Sequence, residues 1–246
     1  MAGHSKWHQI RHKKAARDSK IGKIFTKHGK LITIAARDGG GDPAMNPTLR
    51  NYIQNAKADN MPNLNIERAI KKGTGELNDG TEFSEVYYEA FGPAGVAFYI
   101  HVITDNKNRS FGSLRTLINK NGGNMGEAGS VGWIFERRGL LTVELPQQAD
   151  LEVVELDLID CGAIDLVIAK EDQRAYVYTG DQETNSVASE LGNRGYLVAQ
   201  KELTFMPKQT VALQSETDVE LVTDLIDLID DDEDVQNVYT NAEFSE

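Results

Sequence analysis

From Ile21 to Arg37 the positions Ile24, Phe25, His28, Leu31, Ile32 and Ala35 recur at helical spacing and leave Lys20, Lys23, Lys27 and Lys30 to the other side. The pattern predicts an amphipathic helix with a basic stripe, stopped by Gly39-Gly40-Gly41. Asn46-Pro47 reads as the cap and first residue of a second helix with Leu49, Tyr52, Ile53 and Ala56 on one face. A third helix, from about Asn63 to Lys72, buries Ile66, Ala69 and Ile70, with Gly73 as its C-terminal stop.

The stretch GTGELNDGTE from Gly73 to Glu82 reads as a linker, and beyond it the period changes from helical to alternating. Phe83 to Phe91 and Val96 to Thr104 are expected to pair around Gly92-Pro93. A helix follows with Phe111, Leu114, Leu117 and Ile118 inward, then a strand through Val131, Trp133 and Phe135. From Leu140 the order is strand, helix, strand, strand, helix, strand, a complete βαββαβ unit of the ferredoxin-like kind. A strand at Val211 to Leu213, a helix opened by a capping box Thr217-x-x-Glu220, and a strand near Val235 to Tyr239 close the chain. The expected fold is α+β: a three-helix domain over 1–78, a split ferredoxin-like domain over 79–138 and 207–246, and an inserted ferredoxin-like domain over 139–206.

Charge sharpens this picture. The 246-residue chain has a net charge of −12, yet its first thirty residues hold nine Lys or Arg and one acid. Residues 1–78 carry 15 basic and 6 acidic side chains, net +9; the remainder carries 11 and 32, net −21. Such polarity calls for a polyanion at one end, because a basic region neutralises phosphates while an acidic body is held off them. The residues placed in that contact are Lys6, Trp7, Arg11, Lys13, Lys14, Arg17, Lys20, Lys23, Lys27 and Lys30. The acidic body, including Asn106 and Arg109 in Asp105-Asn106-Lys107-Asn108-Arg109, is left for a protein partner.

Candidate chemistry is sparse. No Walker A motif, dinucleotide fingerprint, HExxH or cysteine pair occurs, so neither a cofactor nor a metal is expected. The Gly-rich stretch Gly122 to Gly129 follows a helix and precedes a strand, the reverse of the order a phosphate cradle needs. His4, His8 and His12 are four apart but lack a carboxylate or thiol to complete a metal site. His101 reads as a hydrogen-bonded sheet histidine and Cys161 as a core residue. Glu220, Asp224, Asp227 and Asp231, and the run Asp230 to Asp234, read as solvated. Tyr176 and Tyr178 share a strand face, but the acidic surroundings point to a packing or protein-contact surface rather than base stacking. One cysteine excludes an intramolecular disulfide, and no stretch approaches a membrane span; a cytoplasmic protein without catalytic activity is expected.

Three segments carry a resemblance: MAGHSKWHQIRHKKAARDSKIGKIFTK, DPAMNPTLRNYIQNAKADNMPNLNIERAIKKGTG, and the stretch from YYEAFGPAGVAFYIHVITDNKNRSFGSLRT to VGWIFERRG. Together they resemble the YebC/PmpR family across nearly the whole chain. The resemblance implies three domains and a non-enzymatic cytosolic protein, a DNA-binding transcriptional regulator or, as in the mitochondrial relative that activates translation of cytochrome oxidase subunit I, a ribosome-associated factor that relieves stalling at proline-rich sequences. It places the family's positively charged region on Lys6, Lys13, Lys14, Lys20, Lys23 and Lys27. The implied partner is DNA or ribosomal RNA.

Overall fold

The computed structural model describes residues 21–77 and 80–244, and the chain divides into two compact units, one of residues 1–136 with 207–246 and the other of residues 137–206. In the first unit, helices α1 (Ile21–Gly39), α2 (Pro47–Ala58) and α3 (Asn63–Gly73) enclose Ile32, Ala35, Ala36, Leu49, Ala56, Ile66 and Ala69. Asn46 joins two of them: its Oδ1 accepts the Leu49 N–H as the cap of α2, and its Nδ2 donates to the Ala35 and Gly40 carbonyls at the end of α1. Gly73 is the last residue of α3 without being left-handed itself, and the left-handed residue beyond the helix is Gly75 (φ 81°). The reason for a glycine at 73 is steric. A Cβ there would lie 2.3 Å from the Thr33 carbonyl oxygen and 2.7 Å from the Ala36 Cβ, so α1 and α3 approach as closely as they do because no side chain intervenes.

The same unit contains a four-stranded sheet in the order β3-β1-β2-β9, from β1 (Ser84–Phe91), β2 (Ala97–Thr104), β3 (Asn124–Met125) and β9 (Val235–Thr240). β1 and β2 pair antiparallel from Ser84 opposite Thr104 to Phe91 opposite Ala97. Helices α4 (Lys107–Lys120) and α7 (Glu216–Asp230) share its core, where Phe98, Ile100, Leu114, Ile118, Val222, Leu225, Ile226 and Ile229 are almost fully buried. This is the ferredoxin-like arrangement with its third strand moved to the front of the chain, since β1 occupies the place that a regular unit gives to the strand after β3. The small parallel pair β8 (Val211–Ala212) and β10 (Ala242–Glu243) forms a sheet of its own. Three local expectations are corrected. Gly132–Ile134 is a 3-10 turn instead of a strand, and the sheet takes its edge strand from Asn124–Met125, inside the Gly-rich stretch. Phe111 stays 36% exposed and lies against Tyr88. Helix α7 is capped by Ser215, whose Oγ accepts the Asp218 N–H and donates to the Asp218 carboxylate, one box earlier than Thr217-x-x-Glu220.

The second unit orders its strands β5-β6-β4-β7, with β4 (Phe135–Glu144), α5 (Leu151–Asp160), β5 (Asp165–Ala169), β6 (Arg174–Gly180), α6 (Thr184–Asn193) and β7 (Leu197–Pro207) in sequence. Read in chain order this is strand 2-3-1-4, the ferredoxin-like pattern. Leu141, Val143, Ala175 and Val177 meet Val154, Leu158, Val187 and Leu191 in its core, where Cys161 also sits. Tyr176 and Tyr178 are buried on the other side of the sheet with Leu140, Val167 and Ala169, so they offer no stacking platform.

The helices of the first unit are held to its sheet by ion pairs around Asp234. The Lys30 ammonium reaches the Asp234 carboxylate at 2.8 Å and donates to the Glu233 and Ile103 carbonyls at 2.7 and 3.0 Å. Arg109 (2.8 Å), Ser110 (2.6 Å) and Thr104 (3.1 Å) serve the other carboxylate oxygen. Lys27 and Lys23 extend the row to Asp230 and Asp231 at 2.8 and 3.1 Å. Burial by itself would raise the Asp234 pKa, but the bonds from Arg109, Lys30 and Ser110 outweigh it and hold the carboxyl far below the usual range.

Asp234→Ala leaves the Lys30 ammonium buried and uncompensated and should cost about 3–5 kcal/mol, read as a lower urea midpoint at unchanged slope, whereas the exposed pair partner Asp231→Ala should cost about 0–1 kcal/mol. Because the folded pKa of Asp234 is depressed, its contribution is complete above the ordinary Asp value near 4 and is lost as pH falls below it; the gap between wild type and Asp234→Ala should narrow in that acid range and stay constant above it. Gly73→Ala should destabilise by about 1–3 kcal/mol through overpacking, while Gly29→Ala, whose Cβ would meet no atom within 4 Å, should stabilise by about 0.5–1 kcal/mol.

Candidate nucleic-acid interface

Of the ten residues assigned from sequence to the polyanion contact, Lys6, Trp7, Arg11, Lys13, Lys14, Arg17 and Lys20 lie outside the described residues, as do His4, His8 and His12. The other three lie on α1, one helical turn apart, and face the acidic turn after α7. Lys30 is enclosed, with all three ammonium protons directed at oxygens of the chain. Lys27 is largely covered and Lys23 only partly so. The basic stripe of α1 is therefore paired within the chain, and the Asp230 to Asp234 run supplies its counter-charge while Asp231 and Glu233 stay at the surface. Asp234 itself is 9% exposed.

Four other cations of the helical region, Arg50, Lys57, Arg68 and Lys71, carry no side-chain hydrogen bond or ion pair among the described residues. Arg50 and Lys57 stand two turns apart on the outer side of α2 with Gln54 between them, around a shallow depression of about 290 Å³ that Pro43, Ala44 and Ile53 also line. Arg68 and Lys71 are exposed on α3. Arg50 and Lys57 stand singly in the sequence; the signal that could have found them is that no acid lies three or four residues away on the same face of α2. The arrangement can hold an anion by charge and by Arg and Lys donors, and it has no group placed for bond making.

Asn106 and Arg109 are engaged within the chain. Asn106 caps α4 by accepting the Arg109 N–H, and the Arg109 guanidinium bridges Asp105 and Asp234 at 2.8 Å each, with half of its side chain exposed. The Gly-rich stretch also satisfies itself. The Glu89 carboxylate accepts the N–H groups of Gly129, Val131 and Gly132, so the loop's donors converge on a carboxylate of β1. Burial tends to raise the Glu89 pKa, and those three backbone bonds together bring it below its ordinary value. His101 is buried, 2.7 Å from Glu85 and stacked on Tyr87, and its hydrogen bond lowers the Glu85 pKa. Among the described residues no group of three or more His, Cys, Asp or Glu could hold a metal ion, and no helix is long and apolar enough to cross a membrane.

Comparison with known proteins accounts for nearly all of the chain. Residues 5–76 match the family model of the TACO1/YebC protein N-terminal domain, and residues 83–242 match that of the TACO1/YebC second and third domain. A probable transcriptional regulatory protein of Halothermothrix orenii is 46% identical over 242 residues, covering 98% of this chain and 94% of its own. One of the same description from Thermotoga maritima is 46% identical over 246 residues, covering 100% and 95%. The crystal structure of a conserved hypothetical protein from Aquifex aeolicus superposes with a TM-score of 0.85 at 38% identity, covering 93% of each chain. With both family models matched in order and whole-length relatives at this identity, the chain belongs to the TACO1/YebC family.

Proposed function

We propose that this protein is a non-enzymatic, cytoplasmic regulator of gene expression that binds nucleic acid through its N-terminal region, with DNA as the target and transcription as the process. The observation that carries this reading is the reversal of charge near residue 78, from net +9 to net −21. A fold that concentrates cations at one end of the sequence gains affinity from counterion release there, while the acidic remainder limits how much of the chain lies along the polyanion. The description of its relatives as probable transcriptional regulatory proteins supports the regulatory role.

The contact set proposed is Lys6, Trp7, Arg11, Lys13, Lys14, Arg17 and Lys20, joined by Arg50 and Lys57 on α2. Lys30 drops out because its donors are used inside the chain, and Lys23 and Lys27 contribute less than their charge implies. A second reading, a translation factor on ribosomal RNA, is favoured by the character of the unpaired cations. Two Lys and two Arg on two helices are suited to phosphates and carry little sequence information, and recognition by backbone and shape serves folded RNA as well as duplex DNA. In either case the acidic body is free to meet a protein partner.

Reversing Lys13, Lys14, Arg17 and Lys20 to Glu should weaken binding to a duplex or a structured RNA. It should also flatten the salt dependence, each lost phosphate contact removing about 0.7 to 0.9 from the log-log slope. Adding Arg50→Ser and Lys57→Ser should flatten it further, whereas Lys30→Met should alter stability with no direct effect on the slope. Binding titrations from low to moderate salt check this, and an unchanged slope in the four-site variant rejects the reading. Gradient sedimentation of lysates with and without ribonuclease separates the two targets: co-migration with ribosomal particles that the four-site variant loses assigns the protein to translation, and absence from them assigns it to DNA.

A further inference from the structure

The inserted unit carries an apolar surface that its own core does not use. Helix α5 turns Val154 and Leu158 into that core, yet Val153, Leu156 and Ile159, at three-residue spacing, are 54%, 64% and 50% exposed. A helix that is apolar on two faces is normally covered on both. Beside this stripe lies an open depression of about 560 Å³, where Val153 is joined by Leu145, Pro146 and Leu197, the last 60% exposed. Contiguous exposed apolar surface of this kind marks a contact with another molecule.

Charge selects the occupant. Residues 139–206 hold 4 basic and 13 acidic side chains. Glu144 and Asp150 line the depression, and Glu152 and Glu155 flank the stripe on α5. The cation at the depression, Arg194, is already drawn to Asp157 at 3.3 Å and Glu190 at 3.5 Å. A phosphate backbone is repelled by such a rim, and so is a second copy of the same face. A helix with an apolar stripe between lysines or arginines meets both the stripe and the rim.

We propose that α5 and the depression beside it form a docking site for a basic amphipathic helix of a partner protein. The site does not depend on the nucleic-acid reading, since it uses the other unit of the chain and the opposite sign of charge.

The test uses the full chain and a fluorescein-labelled Leu/Lys peptide with leucines at i, i+3, i+4 and i+7, followed by anisotropy, with a Leu/Glu peptide of the same pattern as control. Wild type should bind the Leu/Lys peptide and not the Leu/Glu one. The charge-neutral variant Val153→Ser/Leu156→Ser/Ile159→Ser should bind it about tenfold or more weakly, Leu156→Ser alone should fall between, and Leu221→Ser/Leu228→Ser, exposed on α7, should match wild type. Equal affinity of wild type and the triple variant would reduce the effect to general charge attraction and overturn the proposal, as would no binding to wild type. Sedimentation velocity showing a wild-type dimer that the triple variant lacks would also overturn it, by giving the stripe to a second copy. Loss of nucleic-acid binding in the arm variant leaves all of these outcomes unaffected.

Discussion

A single buried carboxylate, Asp234, organises the first unit. It sits where α7 hands over to β9, and it is reached by Lys30 from α1 and by Arg109 and Ser110 from α4. Each of those elements has other packing, and here α1, α4, the turn after α7 and the end of β2 meet through hydrogen-bonded side chains. Desolvating one carboxylate and one ammonium is costly, and the cost is offset only because nearly every lone pair and proton of the two groups has a partner. That condition fixes orientation as well as stability: α1 must present Lys30 at one height and one rotation for three acceptors to be within reach.

This constraint changes the meaning of the basic stripe. Lys23, Lys27 and Lys30 form a regular cationic row, and a regular row on an amphipathic helix reads as a surface for an external anion. Their anion is instead the turn Asp230 to Asp234, two hundred residues away in the chain. Neither half of the pair is informative alone: a run of acids at a helix end and a run of bases on a helix face are each most often solvated. Their complementarity is a tertiary fact. The remaining positive charge of the region is thereby divided between the segment before Ile21 and single cations such as Arg50 and Lys57.

Much of the fold was legible because its elements obey local rules. The three N-terminal helices, the Asn46-Pro47 start, the β1–β2 hairpin and the whole βαββαβ insertion follow from period, caps and turns. What was not legible depends on long-range partners. Val131, Trp133 and Phe135 alternate as a strand does, yet the backbone there curls because the Glu89 carboxylate gathers the N–H groups of Gly129, Val131 and Gly132. Gly73 was legible as the end of α3, but its service to the crossing of α1 and α3 is visible only once α1 is in place. Of the candidate contact residues, sequence could supply the cations but not which of them were already paired.

The two units also divide apolar surface differently, and the difference bears on what each can do. In the first unit the helices over the sheet present apolar side chains to the core, and the exposed leucines Leu221 and Leu228 on α7 stand among acids. In the insertion, α5 has apolar residues at six of its ten positions, Leu151, Val153, Val154, Leu156, Leu158 and Ile159, with Cys161 just beyond its end, more than one buried face requires. Such a helix contributes no more to its own core than a half-polar one would, and its outward leucine and isoleucine raise the tendency to associate. The dense negative charge around it limits non-specific association while leaving a basic partner attracted. Under the two proposals, charge of one sign in the N-terminal sequence and of the other around α5 separates a polyanionic ligand from a basic one.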